Sequence, residues 1–154
     1  MQRDAVVSRL LSLKSVLLIS LLSFGAIANA DGVSVVHRCM VSTGDKPIRL
    51  EWRTFSEPAT RWAGGYVRYQ GAKAVAPLVF RSSEVKAASP DLPAQVKSVW
   101  LEVIAGQFTG EYIAVMQGSS VFSFVYKNYH SGKEIAFLQD DVPHQDTGCV
   151  WRAF

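Results

Sequence analysis

The chain reads as an all-β protein: a small antiparallel barrel or sandwich of about eight short strands, closed by one disulfide and preceded by a signal peptide. Three observations predict it. Short runs of β-branched and aromatic residues recur along the chain, with glycine or proline in nearly every gap between them. No amphipathic helix of useful length interrupts them. Two cysteines, Cys39 and Cys149, stand near the two ends of the segment that carries these runs.

The leader comes first. Arg3, Arg9 and Lys14 give a basic start, diluted only by Asp4, and an uncharged apolar run follows over residues 16–24. Gly25 and Ala26 break that run, and Ala28-Asn29-Ala30 offers small residues at the two positions a signal peptidase reads. Basic start, short apolar middle and A-x-A end form the secretory pattern. A spanning helix needs about 20 apolar residues, and Lys14 cuts this run short, so cleavage after Ala30 is expected to leave no stable membrane anchor. No cysteine lies at the cleavage point to carry a lipid, and no arginine pair precedes the apolar run. The expected organisation is therefore a signal peptide over 1–30 and a single β domain over 31–154, with a periplasmic or secreted destination.

The strands follow in order. Residues 33–41 are the first and carry Cys39; Gly44-Asp45-Lys46-Pro47 turns the chain. Residues 48–55 alternate Ile48, Leu50 and Trp52 against Arg49, Glu51 and Arg53, a half-buried strand with one wet face. Residues 62–69 follow, with Gly64-Gly65 as a bulge or a close backbone approach. Residues 75–81 are a strand whose Pro77 predicts an edge position. Residues 82–97, with Pro90 and Pro93, read as the longest irregular stretch, a connection crossing between two halves. A meander then runs through 98–104, 108–117, 121–130 and 134–138, with Phe122, Phe124 and Tyr126 on one face. A polar loop leads to a closing strand at 149–152.

Charge and cysteine usage narrow the function classes. The leader's three bases and one acid account for most of the formal charge of +3. The remaining domain is nearly neutral, which gives no footprint for nucleic acid. Two cysteines in an oxidising compartment predict the Cys39–Cys149 disulfide, tying first strand to last across the closing seam. Their separation excludes a C-x-x-C redox pair.

No nucleophile elbow, P-loop, H-E-x-x-H or paired metal-ligand spacing is present, so no catalytic residues, cofactor or metal are expected. Glu102 and Glu111 lie on adjacent predicted strands, a carboxylate pair of glycosidase type; alternation with Leu101 and Val103 places Glu102 on the wet face instead. The run Asp140-Asp141-Val142-Pro143-His144-Gln145-Asp146 gathers cation ligands without the spacing of a known loop, so it reads as a solvated acidic loop. Two groups stand out as candidate binding residues. The turn carrying Tyr129, His130, Ser131 and Lys133 concentrates aromatic, imidazole, hydroxyl and ammonium groups on an exposed tip. Trp52, Trp62 and Tyr66 are candidates to line a ligand cavity, with core packing as the simpler use of such aromatics.

The leader, the compact antiparallel β plan, the His37-Arg38-Cys39 start and the Gly148-Cys149 end resemble the periplasmic inhibitors of C-type lysozyme. That family presents a Ser-Gly pair to the lysozyme cleft, and Ser131-Gly132 followed by Lys133 is similar. The chain departs from the family's longer motif, since Ile135 stands where its tyrosine is expected, and its Trp-x-Lys-Gly strand is absent. The reading that follows is a non-enzymatic binding or inhibitor domain acting on a protein partner in the envelope, such as a muramidase. Two other classes stand beside it: a small-ligand barrel or hydrolase, and an envelope assembly protein using the strand that contains Pro77.

Overall fold

In the computed structural model, residues 32–86, 92–145 and 147–151 are described, apart from the side chain of His144. The leader and its cleavage point lie outside the described residues. Eight strands form a closed antiparallel barrel in simple sequence order: β1 (Ser34–Ser42), β2 (Arg49–Glu57), β3 (Trp62–Tyr69), β4 (Ala76–Lys86), β5 (Gln95–Ile104), β6 (Gln107–Gln117), β7 (Ser120–Asn128) and β8 (Glu134–Gln139). The seam is β1 against β8, through Met40↔Gln139, Val41↔Leu138 and Ser42↔Phe137. A short hairpin outside the barrel, β9 (His144–Gln145) and β10 (Gly148–Cys149), follows β8.

Period-two alternation puts every second side chain inside. Met40, Leu50, Trp52, Val67, Leu78, Trp100, Tyr112, Phe124 and Phe137 fill the interior. Trp52 lies 5.1 Å from Phe124 and 6.3 Å from Trp100 between ring centroids, and Phe124 meets Phe137 edge-on at 5.9 Å. Each such aromatic pair adds about 0.5–1.5 kcal/mol beyond the area it buries. An eight-stranded barrel is just wide enough for side chains to fill it, and these aromatics do so.

Several expectations are corrected. Residues 82–97 are not a crossing connection. β4 continues to Lys86 and pairs with β5 from Lys86↔Gln95 onwards, so the two strands form one long hairpin between neighbours. The polar run at residues 82–86 is strand because it projects to where both faces meet solvent. Pro77 is not on an edge: it pairs with Tyr66 near the start of β4, and the β5 ladder begins only at Leu78. β3 keeps its register through Gly64-Gly65; a Cβ at Gly65 would lie 2.5 Å from the Arg53 carbonyl oxygen, so the pair is a close backbone approach. A bulge beside Met116 turns Phe122 outward, 61% exposed, while Phe124 and Tyr126 stay inside.

The Cys39–Cys149 disulfide forms, with a Cα–Cα distance of 5.8 Å. It does not staple the seam. Cys149 belongs to the outer hairpin rather than to a barrel strand, and the bond pins this C-terminal strap to β1, beside the outer face of β2 and β3. Gly148 makes the fit possible. Its φ is 131°, and a Cβ there would overlap the Arg68 guanidinium and lie 2.7 Å from a Glu51 carboxylate oxygen. The paired variant Cys39→Ser/Cys149→Ser is expected to lose about 3–5 kcal/mol of unfolding free energy in urea titrations. It should keep slow amide exchange at Thr43, whose N–H donates to Ala136 O across the seam. Loss of that protection in native buffer would mean that the disulfide closes the barrel.

Candidate functional site

The meander brings the β5–β6 and β7–β8 turns to one end of the barrel, and the β7–β8 turn is built around Asn128. Its Oδ1 accepts from the backbone N–H of His130 at 3.0 Å and of Ser131 at 2.9 Å, and from the Ser131 hydroxyl at 3.1 Å. Its carbonyl accepts from Gly132 N and its own N–H donates to Lys133 O, both at 2.9 Å. An asparagine side chain that reproduces a backbone turn in this way fixes the loop locally. Tyr129 is tied in as well. Its N–H donates to Thr109 O at 3.0 Å, and its hydroxyl donates at 2.8 Å to Glu111, which also takes Arg81 at 3.1 Å. The candidates Tyr129, His130, Ser131 and Lys133 are all exposed on this rigid tip.

Two grooves flank it. Phe108, Thr109, Asn128, Tyr129 and His130 line one of about 360 Å³. Ser42, Thr43, Lys46, Lys133 and Glu134 contribute to another of about 380 Å³. The first offers aromatic faces and an imidazole, the second two ammonium groups and the Glu134 carboxylate.

Beneath the tip lies a carboxylate that the sequence placed on the wrong face. Glu102 points into the barrel, where its Oε2 accepts from Thr109 Oγ1 and Tyr126 Oη, each at 2.8 Å, and its Oε1 accepts from Tyr112 Oη at 3.1 Å. Tyr69 and Tyr112 share a hydroxyl contact of 2.6 Å. Gly110, opposite Glu102 on β6, leaves the room: a Cβ there would lie 2.6 Å from Tyr126. Burial above all, reinforced by Tyr69 and Glu102, holds the Tyr112 phenol far above its ordinary range, and burial with the Glu102 bond raises Tyr126 likewise. Glu111 pairs with Leu101 on the outer wall, so Glu102 and Glu111 face opposite sides and make no glycosidase pair.

A second buried carboxylate sits on the outside, under the strap. Glu51 is 0% exposed. It takes Arg68 Nη2 at 2.5 Å, His37 Nε2 and Tyr66 Oη at 3.2 Å and Arg53 Nε at 3.4 Å. Arg68 also donates to Thr147 O at 3.0 Å, so the ion cluster holds the strap as well as the strand. The face read as wet is thus covered by the chain's own C-terminal segment.

The cavity candidates are not brought together. Trp52 is inside and 2% exposed, Trp62 is 54% exposed at the start of β3, and Tyr66 is on the outer wall with Glu51. His37, Cys39 and Cys149 are close enough to suggest a metal centre, with His37 Nε2 3.8 Å from the Cys149 sulfur. Both sulfurs, however, are consumed in the disulfide. Moreover Arg53 donates to His37 Nδ1 at 3.2 Å, which leaves the ring hydrogen on Nε2, the nitrogen nearest them. In the acidic loop, Asp140 is paired with Arg49 at 3.1 Å; Asp146 and the His144 side chain lie outside the described residues.

No family model, no curated protein and no solved structure matches this chain.

The raised phenols carry a sign. Their folded pKa values exceed the unfolded value near 10, so their contribution is complete below about pH 10 and is lost as pH rises above it. Urea unfolding between about pH 10 and pH 12 should show stability falling by roughly 1.4 kcal/mol per pH unit for each buried phenol. Tyr112→Phe should flatten that limb by about one phenol's share. An unchanged slope would mean that Tyr112 ionises freely in the folded barrel.

Proposed function

We propose that this protein is an exported, non-enzymatic binding module that engages a protein partner through the β7–β8 tip, with inhibition of a muramidase as its most specific form. The observation that carries the reading is the tip itself. Asn128 uses its side-chain oxygen and both backbone groups to fix residues 130–133, and what this fixing presents to solvent is Tyr129, His130 and Lys133 between two grooves. A rigid loop on a rigid scaffold loses little entropy on binding, and tyrosine is among the residue types enriched at interface anchors. Lys133, with Lys46 nearby, suits an acidic cleft such as that of a glycosidase, whose chemistry runs on paired carboxylates.

Two features of the site support a binder over the other classes. The barrel interior is filled by Trp52, Trp100, Phe124 and their neighbours, where a carrier would hold its ligand. Both buried carboxylates are saturated with donors that order the fold. The Ser131 hydroxyl bonds to Asn128 Oδ1 and accepts from Lys133 N, so it shapes the turn more than it reaches outward.

The test is turnover of peptidoglycan by a C-type lysozyme with and without the purified protein. Inhibition is expected, and His130→Ala/Lys133→Ala should weaken it by about tenfold or more, the loss of two interface contacts at roughly 1 kcal/mol each. Ser131→Ala/Lys133→Ala should weaken it too. Full enzyme activity at a large excess of protein would remove the muramidase reading; inhibition indifferent to these substitutions would remove the tip.

A further inference from the structure

The barrel wall is incomplete in one place. β8 pairs with β1 only at Met40, Val41 and Ser42, and with β7 only from Phe124 to Lys127. Beyond those rungs β7 continues to Ser120 and β1 runs back to Ser34, each still paired on its other side. Among the described residues, no strand lies between residues 120–123 and residues 34–36. The cause is the exit of β8. After Gln139, Asp140 N donates to Cys39 O at 2.7 Å, and the Asp140 carboxylate binds Arg49 on the outer face of β2 at 3.1 Å. Pro143, soon after, has no N–H to give a ladder.

One side chain bridges this gap. Arg38 Nη1 donates to His37 O at 2.8 Å, and Nη2 donates across to Ser119 O at 3.1 Å in the β6–β7 turn. Strands in a sheet lie about 4.8 Å apart, so a one-strand gap is about twice that between its walls; the guanidinium, folded back against its own strand, joins a β1 carbonyl to one in the β6–β7 turn. The guanidinium thus offers N–H groups where a strand's backbone would offer them. Its Nε is buried without an acceptor among the described residues. A groove of about 260 Å³ opens at the end of the gap, between His37, Arg38 and Cys39 on one side and Gln139, Asp140 and Asp141 on the other. Val33, Val35 and Phe122 stand exposed along the rims.

We propose that the gap is a strand-addition site for an extended segment of a partner polypeptide, with an acidic side chain directed inward at Arg38. The incoming backbone N–H would replace the guanidinium at His37 O, and the released guanidinium would meet the incoming carboxylate. Main-chain pairing supplies affinity and the alternate side chains supply selectivity in such additions. The charge argument selects the acid: Asp140 is already neutralised by Arg49, whereas among the described residues the Arg38 guanidinium bonds to carbonyls and to no carboxylate. A second copy is the poorer occupant, because its barrel strands are held in the closed sheet and none of its described residues form a free strand to insert. Until a segment arrives, a charged side chain across an open edge is also what keeps that edge from pairing indiscriminately.

The test uses two capped synthetic pentapeptides, Val-Thr-Glu-Thr-Val and Val-Thr-Lys-Thr-Val, added to the isotope-labelled protein and followed by amide shifts and hydrogen exchange. Shifts and slowed exchange are expected at residues 34–36 and 120–123, with the glutamate peptide binding about fivefold more tightly. Arg38→Ala should erase that preference. Val35→Pro should block both peptides while leaving the β1–β2 ladder intact: alternation from Thr43 and Cys39, which bond toward β8, aims the Val35 N–H into the gap. Shifts confined to the 128–133 tip, equal affinity for the two peptides, or amides at residues 34–36 already protected in the free protein because another segment of the chain fills the gap would each overturn the proposal.

Discussion

The Glu102 carboxylate is the interaction on which the upper half of this barrel depends. A carboxylate in an aromatic interior is costly unless donors surround it, and three hydroxyls do so, from Thr109, Tyr112 and Tyr126. The arrangement reaches beyond the core. Thr109 gives its carbonyl to Tyr129 N, and the Tyr126 hydroxyl takes a bond from Asn128 Nδ2 at 3.3 Å. These two tethers of the exposed tip therefore return to Oε2 of one buried side chain, while the Tyr129 hydroxyl is held separately by Glu111. Packing around Trp52 and Phe124 stabilises the barrel; Glu102 links that packing to the geometry of a surface loop.

Glu51 does the corresponding work on the outer wall. The strap at residues 147–149 is held by the disulfide, by Arg68 bridging Glu51 and Thr147 O, and by the absence of a side chain at Gly148. A buried carboxylate with several cationic partners is a weak source of net stability but a strong one of specific geometry, since removing any partner leaves charge uncompensated. Diverting the chain into this strap is also what ends β8 early and leaves the gap that Arg38 bridges.

Much of the fold was legible because strand alternation and turn residues are local signals. Leu50 and Trp52 face inward as their spacing requires, and glycine or proline marks most of the turns. The chain's strand order needed only the preference for hairpins between neighbours. What the sequence hid was phase and cover. In Trp100-Leu101-Glu102-Val103 the two aliphatic residues outvote the pair that points inside, and only the register with Gly110 and Tyr112 reverses the reading. Glu51 looked wet because nothing local announces that a segment a hundred residues later will lie over it. Tyr129, His130, Ser131 and Lys133 were legible as a tip, since turn chemistry is local, whereas Asn128 as its organiser and Thr109 as its anchor come from pairing across strands. Trp52, Trp62 and Tyr66 looked like one set because aromatic character carries no information about which wall a residue faces.

Glu102→Gln tests most directly whether the interior carboxylate orders the exposed β7–β8 loop. The substitution keeps the shape but replaces Oε2, the acceptor for Thr109 and Tyr126, with an amide that donates. Backbone relaxation of residues 129–133 should show order parameters falling from about 0.85 toward 0.6 or below, in a barrel whose β1–β8 amides remain protected. A folded Glu102→Gln protein whose tip stays as rigid as before would contradict the account.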